Sequence, residues 1–224
     1  KNWQTSHPAA ALGALSMRIE GDSQDRSPQI DQVAALETQL RQRYTSMDRT
    51  DLLQLPQLAA YTAYYKRYKK TYHLLLQLES IVHKKKSIPK APPLVQAMFM
   101  AELNSLLLTA GHDLDLIQGP IRFDSASGDE VYTLLRGEQV TCKPADMVTR
   151  DSLGVFCSII YGQDFRTRIT DNTRSVLYVV YIPPGIKREL IAAHLRDLEK
   201  NVVQLFREAK TTFREIFFAT PEDK

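Results

Sequence analysis

Thr109-Ala110-Gly111-His112-Asp113-Leu114-Asp115-Leu116-Ile117-Gln118-Gly119-Pro120-Ile121 is where the chain changes texture. An apolar helical run precedes it, and short β-rich segments follow. Gly111 and Gly119-Pro120 punctuate the backbone at its two ends. Between them stand a His beside an Asp and a second Asp two residues on, the densest polar chemistry in the chain. A helix ends here, a sheet begins, and a His-Asp pair sits at the junction. Junction loops on a rigid scaffold are common homes for binding and catalysis. The competing structural reading is that Asp113 caps a turn and His112 is a satisfied polar residue.

Immediately upstream, the pattern predicts a helix from about Pro93 to Thr109, apolar almost all round and therefore central and buried. Glu102 stands out on it, flanked by Met100, Ala101 and Leu103. A carboxylate there is either at a wet edge or buried with a partner. If buried, its pKa is raised, as a general base often requires; a structural hydrogen-bond acceptor is the alternative. Ile88-Pro89-Lys90-Ala91-Pro92-Pro93 is a rigid linker before that helix.

Further back, Pro56 opens one long expected helix running to the basic cluster His83-Lys84-Lys85-Lys86. Tyr61, Tyr65, Tyr68 and Tyr72 recur on one stripe. Lys66, Arg67, Lys69 and Lys70 flank it. Cations neutralise phosphates and aromatic rings stack on unpaired bases, so the stretch suits RNA. An amphipathic helix with core tyrosines and solvated lysines fits the same spacing. Lys84, Lys85 and Lys86 suit a helix C-terminus as well as a phosphate. Nearer the start, a strand is expected near Ala14 to Ile19, then a polar loop. Ser27-Pro28 reads as a helix start, with Ile30, Val33, Leu36, Leu40 and Tyr44 on one face.

Downstream, residues 121–123, 131–135, 139–142, 147–149, 155–161 and 175–182 read as strands bounded by turns, with hairpin-like turns at Ser127-Gly128-Asp129 and Arg136-Gly137-Glu138. Pro183-Pro184-Gly185 stops the last strand. An amphipathic helix follows over residues 187–207, and from Lys210 a helix end or extension. The class is α+β, helices leading and a mostly antiparallel sheet behind. One domain over residues 1–224 is expected, with segments 1–48, 49–110, 111–186 and 187–224.

With 43% hydrophobic and 25% charged residues, the chain is not disordered as a whole. A net charge of +3 does not by itself demand a nucleic-acid partner. No apolar run approaches the roughly 18 residues of a membrane span. Lys1 to Ile19 lacks the apolar core of a signal peptide. Cys142 and Cys157 read as reduced core thiols of a cytoplasmic protein. No Walker motif, dinucleotide glycine motif or metalloprotease His pair is present, and no cofactor or metal is expected. A metal site from His112, Asp113 and Asp115 lacks a second His at ligand spacing.

Several ordered features resemble one family. A helix beginning Leu94-Val95 leads without a gap into the stretch at 110–121. A Gly137-Glu138 turn, an Asp146-Met147 corner and Asp151 before Gly154 follow. Arg166-Thr167-Arg168-Ile169-Thr170, Thr173 and Val176-Leu177 then enter a core strand. This order is similar to the B3/4 domain of the phenylalanyl-tRNA synthetase beta chain, and closer still to free-standing proteins built from it. The tyrosine- and lysine-rich residues 64–81 resemble the helical lead-in of the latter. The resemblance covers roughly residues 50–182.

The resemblance implies a B3/4-type fold and a partner, the aminoacylated acceptor end of tRNA. It implies a candidate trans-editing hydrolase that deacylates a mischarged aminoacyl-tRNA without a metal, using a positioned water and a proton relay. The family's Thr-Asn pair falls on Met98-Phe99 and its editing histidine on Ala110, so tyrosine specificity does not carry over. A site here is rebuilt from His112, Glu102 and Asp113 as catalytic candidates. Ser158, Gly162, Asp164, Arg166 and Thr167 are candidates for substrate binding. Lys66, Arg67, Lys69, Lys70, Lys84, Lys85 and Lys86 are candidates for RNA binding. The alternative is a non-catalytic module for RNA or a small ligand that keeps the fold without the hydrolytic site. Oligomeric state is not legible.

Overall fold

The computed structural model describes residues 3–20 and 27–220, with the backbone alone for residues 27–30. The expected polar loop before Ser27, the Ser27 cap and the side chain of Ile30 lie outside the described parts. In chain order the elements are α1 (Trp3–Ser6), β1 (Ala11–Arg18), α2 (Ser27–Tyr44), α3 (Arg49–Leu52), α4 (Pro56–Lys66), α5 (His73–Val82), α6 (Pro93–Ser105) and β2 (Thr109–Asp113). A 3-10 turn (Leu114–Leu116) leads to β3 (Arg122–Ser125), β4 (Val131–Thr133), β5 (Gln139–Thr141), β6 (Met147–Asp151), β7 (Gly154–Ser158) and β8 (Gly162–Gln163). β9 (Ser175–Ile182), α7 (Arg188–Leu205) and β10 (Lys210–Phe218) complete the order.

One sheet has the order β10-β1-β9-β2, a second β3-β6-β7-β8, and β4 with β5 forms a separate hairpin. Every strand pair is antiparallel. The fold is α+β, as the pattern implied. β9 is buried along nearly its whole length because both faces of its sheet are covered where it runs. α7 supplies Ile191, Leu195, Leu198 and Val202 to the core. Each such side chain stabilises the fold by about 1.5–3 kcal/mol through burial. Gly13 lets α7 approach β1: a Cβ there would stand 3.3 Å from Ile191 and 3.4 Å from Leu195.

The strand expected over residues 155–161 stops at Ser158, where a turn begins, and three further boundaries differ from expectation. The central helix α6 ends at Ser105, and Thr109–Asp113 is a strand paired with Val176–Val180 of β9. The helix stops because Leu106 takes a left-handed conformation, φ 62°. That geometry costs a non-glycine residue roughly 1–2 kcal/mol. Leu106 is buried, and packing offsets the cost, so no Gly, Asn or Pro marks the stop. Gly111 is required inside β2 for a different reason. A Cβ there would meet Ile169 at 2.8 Å and the Met98 sulfur of α6 at 3.2 Å.

The long helix expected from Pro56 is two helices. α4 ends at Lys66, and Lys69 reverses the chain at φ 56° before α5. In one continuous helix, Tyr61 and Tyr72 would lie about 16 Å apart along the axis. The break stacks their rings at 4.5 Å and 15°. Burying both rings outweighs continued helical hydrogen bonding.

The segment from Lys210 is a strand, not a helical extension. It pairs with β1 over its whole length, with a bulge near Ser16. Thr211, Thr212, Phe213 and Ile216-Phe217-Phe218 carry the β-branched and aromatic bias that explains it. The turn at Ser127-Gly128-Asp129 links strands of different sheets, whereas Arg136-Gly137-Glu138 closes the β4–β5 hairpin.

Candidate functional site

α6, the entry to β2, the loop after β7 and the β4–β5 hairpin enclose a cleft of about 620 Å³. Val95, Met98, Phe99, Leu108 and Ala110 form an apolar wall. Glu102 lies at its floor, and Lys70, His73, Arg136 and Glu138 stand around its mouth. A larger opening, about 1080 Å³, lies between the two sheets, but its walls are chiefly Trp3, Leu12, Leu177, Val179 and phenylalanines. Among the described residues, Arg188 is the one charged side chain lining it. The smaller cleft is therefore the candidate for chemistry: it joins a buried carboxyl to exposed cations, which the larger opening does not do among the described residues.

Glu102 is 3% exposed. Its Oε1 accepts the Thr109 backbone N–H at 2.7 Å, and no ion pair among the described residues includes it. Burial pushes its carboxyl up to about 8, the Thr109 bond opposing that only in part. Thr109 is fixed in turn by His194. Ser105 spends its hydroxyl hydrogen on the Ala101 carbonyl, so its oxygen accepts from His194 Nδ1 at 2.7 Å. His194 Nε2 then accepts from the Thr109 hydroxyl at 2.8 Å. Burial holds this imidazole neutral, at about 4.

The catalytic candidates do not meet. His112 is fully buried, and the cleft wall on β2 ends at Ala110. Thr167 donates its hydroxyl to Asp164, so its oxygen accepts from His112 Nδ1 at 2.8 Å. His112 Nε2 has no partner among the described residues, and its ring stands steeply against that of Phe156, with centroids 4.8 Å apart. Burial first, then the charge of Arg166, lowers its pKa to about 3. Asp113 faces the other way, as successive strand residues do. It accepts from the Asp115 N–H at 3.1 Å and the Thr173 hydroxyl at 2.7 Å. That is the turn-capping arrangement weighed as the structural reading.

The substrate-binding candidates fall into two groups. Asp164, Arg166 and Thr167 belong with His112, outside the cleft. Arg166 Nη1 lies 2.9 Å from Asp151 and donates to the Leu116 carbonyl at 2.8 Å. Its Nε lies 3.5 Å from Asp164. Ser158 and Gly162 line the cleft with Glu102. Ser158 Oγ donates to Asp146 at 2.5 Å and accepts the Tyr161 N–H at 3.1 Å. The Ile160 N–H also turns to Asp146, at 3.3 Å. The amides of this turn that a ligand could use are therefore engaged.

Asp146, at the corner before Met147, is not among the candidate site residues read from the sequence. It is wholly buried. Tyr64 donates to its Oδ1 at 2.7 Å and accepts the Met147 N–H at 2.7 Å. Burial raises its pKa to about 6, against the pull of Ser158 and Tyr64. It ties α4 to the 158–161 turn. No local spacing could reveal that contact, which joins residues 82 apart in sequence.

The tyrosine stripe faces inward. Tyr61 donates to the Tyr181 carbonyl at 2.6 Å and accepts the Leu108 N–H at 2.9 Å. Tyr65 donates to the Ile159 carbonyl at 2.8 Å. Tyr61, Tyr65 and Tyr72 are buried and cannot stack on a base. The cations beside them are exposed: Lys66 at the end of α4, Arg67, Lys69 and Lys70 after it, and Lys84, Lys85 and Lys86 after α5. Of these seven, Lys70 reaches the cleft, its Nζ 4.4 Å over the Tyr161 ring. Arg67 lies over Tyr64 and Tyr68 at 5.3 and 5.5 Å. Among the described residues, no helix is long and apolar enough to cross a membrane. Cys142 and Cys157 are free and buried.

Residues 59–204 match the B3/4 domain family. Among solved structures, the chain is similar to an N-terminal fragment of the phenylalanyl-tRNA synthetase beta-subunit from Pyrococcus horikoshii. The identity is 20%, over 60% of this chain and 47% of that one, with a TM-score of 0.46. The chain thus spans less than half the length of that fragment. No curated protein matches.

Proposed function

The chain belongs to the B3/4 domain family, and from that premise we propose that its cleft receives the aminoacylated acceptor end of a tRNA and hydrolyses the ester. The observation that carries this reading is the joining of Glu102, at the floor, with exposed Lys70 and Arg136, at the mouth, in one cleft. An aminoacyl-tRNA end carries an ammonium and a side chain at one end and phosphates at the other, and the cleft sets a carboxyl and an apolar wall inside against Lys70 and Arg136 at its mouth.

With a carboxyl near 8, about a tenth of Glu102 is ionised at pH 7. A proton acceptor near the operating pH is well matched to general acid–base catalysis. The carboxylate takes a proton from a water as its oxygen attacks the ester carbonyl. The C–O bond to the terminal ribose then breaks, and the leaving hydroxyl recovers that proton from Glu102. The products are a free amino acid and a free tRNA end. His112 plays no part in these steps, because its ring is closed off from the cleft.

A second reading, a binding module without hydrolysis, is favoured by one specific observation: the Tyr161 and Ile160 amides, the nearest candidates for an oxyanion site, are already engaged. A deacylation panel separates the two. Purified protein is incubated with a full set of mischarged aminoacyl-tRNAs, with gel shifts run alongside. Release of amino acid from at least one supports the hydrolase. Binding without release supports the module, and neither sinks both.

A further inference from the structure

We propose that two aromatic–cation pairs beside the cleft, Lys70 with Tyr161 and Arg168 with Phe165, form a stacking platform for unpaired nucleotides at the 3′ end of the RNA. This rests on the reading that an RNA end enters the cleft, and it adds the means by which a single strand is held there.

Phe165 is 44% exposed. It joins neither cluster of buried hydrophobic residues among the described residues. It is held at the surface instead. Its N–H donates to the Thr133 carbonyl at 2.9 Å, and the neighbouring Asp164 bridges to Leu134, which lines the cleft. One ring face is covered by the Arg168 guanidinium, 3.7 Å from the centroid. That guanidinium is fixed by donating to the Phe165 carbonyl at 2.7 Å. A ring with a cation pinned on one side, and its own backbone pinned to a strand, is set in advance for a second planar partner.

Tyr161 stands at the cleft mouth with its ring packed against both hydrophobic clusters, and it shares with Phe165 the cation over the ring. It lines the cleft, is partly exposed and carries the Lys70 ammonium over its ring. Phe165 follows Tyr161 by four residues, so their Cα atoms lie at most about 13 Å apart. One short single strand can meet both. Bases stack on aromatic faces whatever their identity, and the paired cations add attraction to the nearby phosphates. A duplex has no unstacked base to offer. The platform therefore distinguishes an overhang from a blunt end.

The test compares two loop-free RNA duplexes of the same stem sequence, each annealed from two strands, one blunt at both ends and one with a four-nucleotide single-stranded 3′ overhang, by fluorescence anisotropy. The intact chain should bind the overhang probe at least tenfold more tightly. Phe165→Ala should erase most of that preference, about tenfold, and leave blunt binding unchanged; Phe165→Trp should keep it. Thermal melts check that Phe165→Ala is folded, as its exposure predicts. Equal binding of both probes by the intact chain overturns the platform while leaving the RNA reading in place. So does an overhang preference that survives Phe165→Ala. Binding of neither probe overturns both.

Discussion

The Thr109 backbone N–H donates to Oε1 of Glu102 at 2.7 Å, and this bond ties the last turn of α6 to the first residue of β2. A carboxyl in such a place has two duties. It supplies an acceptor to a strand edge, and it keeps a titratable group at the floor of a cleft. The second duty opposes stability whenever the group ionises.

Stability should reveal that cost. The folded pKa of Glu102 is raised from 4.5 to about 8, so its neutral form is favoured in the fold. The contribution is fully present below pH 4.5 and is lost as pH rises through 8, by about 5 kcal/mol at most. Glu102→Gln keeps an acceptor for Thr109 and removes the titration. Chemical denaturation from pH 5 to 9 should fall more steeply for the parent chain than for the variant. In deacylation assays, kcat/KM should rise with pH towards 8, and Glu102→Gln should lose roughly 10²-fold or more. A variant with the parent's rate would remove Glu102 from the chemistry.

Acid should act through different groups. His112 and His194 have folded pKa values lowered from 6.5 to about 3 and about 4. Both are neutral in the fold, while the unfolded chain takes up their protons below 6.5. Their contribution is present above 6.5 and lost as pH falls, about 2 kcal/mol apiece at pH 5. His194→Gln should flatten the decline between pH 6.5 and 5. His112→Ala should lower the melting temperature through a cavity and the lost bond to the Thr167 hydroxyl oxygen, costing about 2–4 kcal/mol. At a temperature where it is folded, it should retain the pH–rate profile of the parent. A profile that lost its limb in His112→Ala would restore the histidine to the mechanism.

Tyr64 offers a test of how the cleft wall is held. Its hydroxyl serves Asp146 and the Met147 N–H together. Tyr64→Phe leaves two buried groups short of a partner, at a cost of about 2–3 kcal/mol. Asp146 then holds Ser158 and the 160–161 amides less firmly. Hydrogen exchange at Ile160 and Tyr161 should speed up more than exchange in β9. Uniform acceleration across the chain would mean that Tyr64 only sets global stability.

These same residues show what the sequence could disclose. Strand β9 and helix α7 were legible because their apolar patterns are long and uninterrupted. The buried Glu102 was legible as an oddity, a charge inside an apolar run. The end of α6 was not, because Leu106 turns the helix by packing rather than by a Gly or Pro signal. The tyrosine stripe was ambiguous by nature: spacing of three and four describes a face, and only the tertiary fold says what it faces. His112 and Asp113 are adjacent in sequence, but a strand points them to opposite sides. The grouping of Glu102 with Ser158 and Gly162, apart from Asp164, Arg166 and Thr167, depends on contacts over 50 residues or more.

The cations give the last prediction. Lys66, Arg67, Lys69 and Lys70 are exposed beside the cleft, and Lys84, Lys85 and Lys86 follow α5. Phosphate contacts appear as salt dependence, since each one releases condensed counterions. Lys70 lines the cleft, whereas the other six lie outside it. Lys70→Ala should weaken tRNA binding several-fold at low salt and reduce the slope of log K against log salt by about 0.7–0.9. A triple change of Lys84, Lys85 and Lys86 to Ala separates two arrangements. If the stem of the tRNA runs over α5, the slope falls by about two or more. If the RNA meets the protein only at the cleft mouth, the slope stays at the parent value. In neither case should deacylation of a minimal aminoacyl ester lacking the stem change with the triple variant, because those lysines lie away from Glu102. Loss of that minimal activity would place the 84–86 cluster within reach of the chemistry and contradict the geometry described above.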